Sequence, residues 1–381
     1  MSSMGITGLE ITINLVKTIL VFLLMVQAVP ILVWLERRGS AFIQNRLGPN
    51  RVGPLGLVQL LADAAKFLNK EDFVPDKGNR ILFYMAPVFA LIPAAVAYMA
   101  IPMSTPLKIG DSTFLIQGYE VNVGIVFILG ISAMAVYTML MAGWGSSNKF
   151  ALMGAMRASA QVISYELALG LAIVGIILTY GTFNLTEMIM AQQGPLRFSG
   201  LGYEWVSPLS FIPNWGIFYQ PLGAILFFAA TFAESNRLPF DLAEGEAELV
   251  AGFHTEYGGF KMLMFFIGEY GHMMIAAGLM TTFYFGGYGI PGWSVQEIHA
   301  AGLSLLGSET AASIFSTVVH FISYNIKFAI FLWIFVHVRW TLPRFRYDQL
   351  MDLGWKTMLP WALFNTILTA TVIFIAHQYV I

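Results

Sequence analysis

The chain has 381 residues, 57% hydrophobic and 11% charged, with a formal net charge of −2 and a mean hydropathy of +0.70. Soluble globular chains carry about 25% charged residues, so a soluble domain is excluded, and the near-neutral balance excludes a basic footprint for nucleic acid. Cysteine is absent, which excludes disulfides, cysteine-held iron–sulfur clusters and attached c-type haem in this chain. No G-x-G-x-x-G or P-loop run occurs, and the histidines lack metal-ligand spacing, so neither a nucleotide domain nor a metal site is expected. Any redox centre belongs to a partner or to a bound small molecule.

Apolar runs of about 20 residues are long enough to cross a bilayer. They predict eight transmembrane helices, at roughly 12–34, 81–103, 122–143, 160–180, 217–235, 261–286, 315–338 and 357–379. The first run lacks a small-residue cleavage site, so it reads as a span rather than a removed signal. The expected fold is an all-α polytopic membrane protein, a single membrane domain over residues 1–381. Lys and Arg concentrate in the loops after the first, third, fifth and seventh spans, beginning with Arg37, Arg38, Arg46 and Arg51, whereas the other side shows Lys108 and Arg197. The basic loops therefore face the cytoplasm, or a mitochondrial matrix, and both termini lie on the opposite side. A bacterial inner membrane with periplasmic termini is the favoured setting.

Residues 36–54 read Glu-Arg-Arg-Gly-Ser-Ala-Phe-Ile-Gln-Asn-Arg-Leu-Gly-Pro-Asn-Arg-Val-Gly-Pro, and their Gly and Pro punctuate tight turns. An amphipathic helix follows over residues 55–70. Gln59, Asp63, Lys66 and Lys70 form its polar stripe, with Leu57, Leu60, Leu61, Ala64, Phe67 and Leu68 opposite. Such a helix lies in the headgroup plane or packs on the bundle. Beside an arginine-rich turn it can flank a portal for an apolar, lipid-soluble ligand.

Glu166 falls inside the fourth span, Glu234 ends the fifth, and Glu269 lies in the sixth near His272. Carboxylates at membrane depth cost several kcal/mol unless paired or hydrated, so each is a functional candidate. The bland alternative is a lone carboxyl bonded to a neighbouring helix, and His272 reads as structural. Lys327, within the seventh span, could pair with a carboxylate. The densest chemistry lies at 234–248, Glu-Ser-Asn-Arg-Leu-Pro-Phe-Asp-Leu-Ala-Glu-Gly-Glu-Ala-Glu, with Arg237 as its lone cation. Pro239 suits the first turn of a helix, on which Asp241, Glu244 and Glu248 would share a face, with Glu246 alongside. Like charges so placed perturb one another's pKa values. A solvated acidic loop is the plain reading, and a proton- or ion-handling site at the membrane surface is the functional one. The last basic loop, from Arg339 to Leu350, alternates basic and aromatic residues. It reads as an interfacial anchor, or as a docking surface for a soluble partner or a quinone headgroup.

Residues 36–54, Ala62–Lys66, Gly143–Glu166, Ala233–Val250, Glu256-Tyr257, Glu269-Tyr270 and Pro343–Leu350 together resemble one family. It is the H-type membrane subunit of the NADH-quinone oxidoreductases, a family that includes mitochondrial NADH dehydrogenase subunit 1. The resemblance covers nearly the whole chain, and the segment around 190–216 looks extended beside compact members. It implies a membrane subunit of respiratory complex I, next to the hydrophilic arm, that forms a quinone tunnel and couples quinone reduction to proton translocation. Flavin and iron–sulfur clusters would sit in partner subunits, the substrate would be ubiquinone or menaquinone, and neighbouring membrane subunits would complete the complex. Glu36, Arg37, Arg46 and Asp63 are then expected at the tunnel. Asp241, Glu244, Glu246 and Glu248 would sense or relay the redox change, Arg237 would compensate charge, and Glu166, Glu234 and Glu269 would carry the path inward. The equivalent component of a membrane-bound hydrogenase, a stand-alone ion transporter and a purely structural anchor remain as alternatives.

Overall fold

A computed structural model describes residues 8–110, 112–200, 203–206, 212–242 and 250–380. Glu244, Glu246 and Glu248 lie outside the described residues. Among those described, seven helices are long and apolar enough to cross a membrane, and an all-α multi-pass membrane protein results. The apolar runs become helices because a bilayer offers no partner for open backbone groups, so each segment satisfies its own.

Helix α1 covers Gly8–Ile43, and the surface helix α2 covers Gln59–Asn69. Helix α3 spans Arg80–Met99, followed by a hairpin of β1, Leu107–Ile109, and β2, Ser112–Phe114, in antiparallel register with Lys108 opposite Thr113. The third span is broken into α4, Gly124–Ser132, and α5, Ala135–Gly145. Helix α6, Lys149–Tyr180, is capped by the Asn148 side chain and ends at Gly181 in the left-handed region. Next come α7, Leu185–Ala191, then β3, Arg197–Gly200, paired antiparallel with β4, Tyr203–Val206, within the segment that looked extended. Helices α8, Gly216–Tyr219, and α9, Pro221–Glu234, form the fifth span. Helix α10, Gly259–Tyr284, is the most deeply buried span; α11, Val295–Leu306, packs along α12, Glu309–Thr341. Helix α13, Tyr347–Asp352, passes through a π-helical turn at Leu353–Met358 into α14, Leu359–Val380.

Three boundaries differ from expectation for physical reasons. The first span continues through Glu36 and Arg37 because those charges find partners inside the protein. The fifth span has only 14 residues in α9, about 21 Å of helix. It falls short of the length of the seven spans and packs along α6: Gln220, just before its start, bonds Thr179, while Ala233 near its end accepts from Gln161. Pro239 lies in a turn rather than in the first turn of a helix, and Asp241 is not helical.

Small residues let the buried spans approach closely. A Cβ on Gly268 of α10 would meet the Ala90 carbonyl oxygen of α3 at 2.6 Å. Lys327 pairs with no carboxylate among the described residues. Its Nζ donates to the carbonyls of Phe285, Gly287 and Gly289 at 2.8, 2.9 and 2.5 Å and sits 4.9 Å from the Trp215 ring centroid. It thereby satisfies carbonyls that the end of α10 leaves open.

Candidate functional site: two cavities and their carboxylates

A cavity of about 720 Å³ opens between α1, α2, α10, the 236–241 turn and the end of α12. Much of its wall is apolar, with Val29, Leu60, Leu61, Ala64 and Phe67 among the lining side chains. The turn before α2 shapes this wall. Gly56 holds φ at 76°, and a Cβ there would fall 2.3 Å from the Pro49 carbonyl oxygen, so only glycine fits. Helix α2 then docks on α10, with the Phe67 and Phe266 rings edge to face at 6.2 Å.

The wall is also charged, and all four residues expected at the tunnel line this cavity: Glu36, Arg37, Arg46 and Asp63. Arg37 reaches Asp63 at 2.5 Å, and Gln59 steadies the same carboxylate at 3.0 Å. Arg46 donates through Nε to Gln44 at 2.7 Å. Glu36 is buried, accepting from the Tyr270 hydroxyl at 2.7 Å, from Arg237 at 3.2 Å and from Arg339. Arg237 lies over the Tyr270 ring, 4.1 Å from its centroid. Burial would lower the Arg237 guanidinium, but Tyr270, Glu36 and Glu269 outweigh it and hold the group above its ordinary range, fully charged. Its Nε and Nη2 have no hydrogen-bond partner among the described residues. Asp241 also lines the chamber and accepts from Arg344 at 3.1 Å. The turn that presents Arg237 and Asp241 is pinned from α6 by Gln161, which donates to the Ala233 and Phe240 carbonyls at 2.9 and 2.7 Å.

Glu269 sits in the chamber wall, 3.6 Å from Nε2 of His254. Burial pushes His254 down to about 3, so its imidazole is neutral at pH 7 and the pair is no salt bridge. Behind this wall lies a second cavity of about 30 Å³, shared by Glu269 and Glu234. The Ser132 hydroxyl hydrogen-bonds Glu234, and Glu166 lies within Coulombic range of it. Glu166 lines neither cavity, and its Oε1 is buried with no hydrogen-bond partner among the described residues. Glu269 and Glu234 thus share the small cavity, and Glu166 lies near Glu234.

Sequence reasoning missed two members of this group. Arg339 read as an anchor or docking residue, yet it is a counter-charge of Glu36, and Tyr270 completes the same cluster. The available signal was Glu36 itself, since a carboxylate carried into a span needs buried cations, although nothing in the spacing said which.

A family model described as NADH dehydrogenase matches residues 16–370. The chain is 67% identical over 383 residues to the H-type NADH-quinone oxidoreductase subunit of Bdellovibrio bacteriovorus, covering 98% of this chain and 99% of that protein. It is 42% identical over 338 residues to an H-type NADH-quinone oxidoreductase subunit of Cytophaga hutchinsonii, covering 89% of this chain and 90% of the relative. It is 40% identical over 366 residues to another from Geobacter metallireducens, covering 96% and 98%.

Proposed function

The chain belongs to the NADH dehydrogenase family, as a membrane subunit of NADH-quinone oxidoreductase, or complex I, and from that premise we propose that it forms the quinone chamber and couples quinone reduction to proton translocation. One observation carries this reading: a 720 Å³ cavity lined both by apolar side chains, such as Val29, Leu60 and Phe67, and by charged ones, such as Glu36, Arg237 and Asp241. An isoprenoid quinone has the same division, an apolar tail and a polar head. The two unpaired guanidinium nitrogens of Arg237 are donors available to a quinone carbonyl.

Reduction consumes two electrons and two protons per quinone. The electrons come from flavin and iron–sulfur clusters of partner subunits, and the substrate is ubiquinone or menaquinone. This chain's residues bind the head, exclude water and supply or sense protons. A change of charge at the head is felt by the Glu36 cluster and by Asp241 and Glu269 in the chamber wall, because a water-poor site screens charge weakly. Groups so coupled exchange protons as a set. Glu269, Glu234 and Glu166 carry that exchange inward, and Glu244, Glu246 and Glu248 belong to the same acidic stretch as Asp241. The basic loops face the cytoplasm of a bacterial inner membrane, with both termini periplasmic and residues 1–381 forming one membrane domain. The relatives' names favour this reading over the hydrogenase and transporter alternatives.

The test is Ala64→Trp, which places an indole in the chamber from α2. In native membranes it should raise the KM for quinone at least tenfold, while NADH oxidation by an artificial acceptor that bypasses the quinone stays unchanged. An unchanged KM refutes the chamber.

A further inference from the structure

Lys261 stands in the first turn of α10, and a lysine at the edge of a span ordinarily snorkels into water. This one is buried, with 6% of the residue exposed. Its Nζ donates to the Phe73 carbonyl at 2.9 Å and meets Asp72 Oδ1 at 2.6 Å. It also lies over two rings of α3, 4.5 Å from the Phe83 centroid and 4.3 Å from that of Tyr84, a further attraction for a desolvated cation. The Tyr84 hydroxyl reaches the other Asp72 oxygen at 3.4 Å. Phe83 is held in turn by Tyr257, which stacks on its ring at 4.2 Å and donates to its carbonyl at 3.2 Å. One ammonium thus joins α10, α3 and the chain that leaves α2.

That chain is short. Asp72 stands three residues after Asn69, the last residue of α2, and three residues reach at most about 11 Å. The end of α2 also abuts the start of α10: a Cβ on Gly259 would stand 3.5, 3.6 and 3.8 Å from the carbonyl oxygens of Lys70, Phe67 and Glu71. Such support matters because no residue of α2 is buried, and an element with little buried surface is among the first to open locally. Helices α2 and α10 both line the chamber, the one with Leu60, Ala64 and Phe67, the other with Leu263, Phe266 and Ile267. Fixing the end of α2 on α10 therefore fixes the spacing of two chamber walls. Lys261 itself lines neither cavity.

We propose that Lys261 is a positioning residue for the quinone: it ties the chain after α2 to α10 and α3, and so holds the α2 wall at the spacing that the substrate fits. The proposal rests on the reading of that cavity as the quinone chamber and adds a residue outside it on which its width depends. Lys261→Met keeps the length of the side chain and removes its charge and its donors. In the intact complex, amide hydrogen exchange of residues 59–69, followed by mass spectrometry, should accelerate about tenfold, near the low end of what one hydrogen bond from a charged group contributes. Exchange in residues 160–180 should not change. In native membranes the KM for quinone should rise about five- to tenfold, with kcat and NADH oxidation by an artificial acceptor within about twofold of wild type. Lys261→Arg keeps a cation over both rings and a donor, and should stay within about twofold of wild type in exchange and KM. Asp72→Ala removes a partner whose side chain is half exposed, and should raise both about two- to threefold; it decides the matter if the methionine variant does not assemble. Wild-type exchange in the variants that assemble, or a fall in kcat at unchanged KM, overturns the proposal. Faster exchange at a wild-type KM also overturns it, provided Ala64→Trp still raises the KM. If Ala64→Trp leaves the KM unchanged too, the chamber reading itself has failed.

Discussion

Glu36→Gln keeps the shape of the side chain and removes its charge, which strands Arg237. The Arg237 and Glu36 side chains are 6% and 8% exposed, whereas that of Arg339 is 26% exposed. Removing one partner of a buried pair costs about 3–5 kcal/mol, because the other charge stays behind without compensation. Arg339→Met breaks a contact partly open to solvent and should cost about 1 kcal/mol. The gap of about 2 kcal/mol or more corresponds to roughly thirtyfold in an equilibrium constant. Glu36→Gln combined with Arg237→Met should recover about 1–3 kcal/mol, as expected for residues in direct contact. The assay is a urea titration of detergent-extracted complex, scored as the fraction still assembled on a native gel. The order expected is wild type, Arg339→Met, then Glu36→Gln, with the double variant more stable than the sum of its singles. If Arg339→Met costs as much as Glu36→Gln, or the singles simply add, the buried-cluster reasoning is refuted.

Lys327→Met should lower the yield of assembled complex, since three carbonyls in the 285–289 turn lose their donor and each orphaned buried group costs about 1–3 kcal/mol; a wild-type yield would mean that other groups satisfy them. His254 should make the complex acid-labile. Its pKa falls from 6.5 in the unfolded chain to about 3 in the folded protein, so the unfolded chain binds more protons in between. That contribution is complete above pH 6.5 and lost as pH falls towards 3. His254→Gln should flatten the acid limb of a stability–pH profile taken between pH 4 and 7, and an unchanged limb would show that the imidazole is not held neutral.

The membrane spans were readable in the sequence because hydrocarbon imposes both their length and their helicity. Their interruptions were less so. Charges at Glu36 and Arg37 read as the end of a span, but partners from Arg237, Arg339 and Asp63 let α1 run on to Ile43. The face of α2 was visible in the spacing of Gln59, Asp63 and Lys66, since helical periodicity is local. The meeting of Glu36 with Arg339 was not, because that contact joins the first helix to the end of the twelfth, and nothing local encodes it. His272 read as structural from its lone position; it lines a cavity that exists only once α5, α9 and α10 converge. Lys327 carried the clearest misleading signal. A lysine inside a span calls for a carboxylate, yet here the open carbonyls after α10 take that place.

The most direct test of coupling is to measure the rates of quinone reduction and of proton translocation, and the protons translocated per NADH oxidised, in inverted membrane vesicles bearing Glu269→Gln. Glu269 stands in the chamber wall and also lines the inner cavity with Glu234, so a glutamine there should break the exchange between them. The expected result is an assembled complex whose quinone reduction and proton translocation both fall at least tenfold. A wild-type rate with a wild-type ratio would contradict the claim that this line of carboxylates carries the coupling.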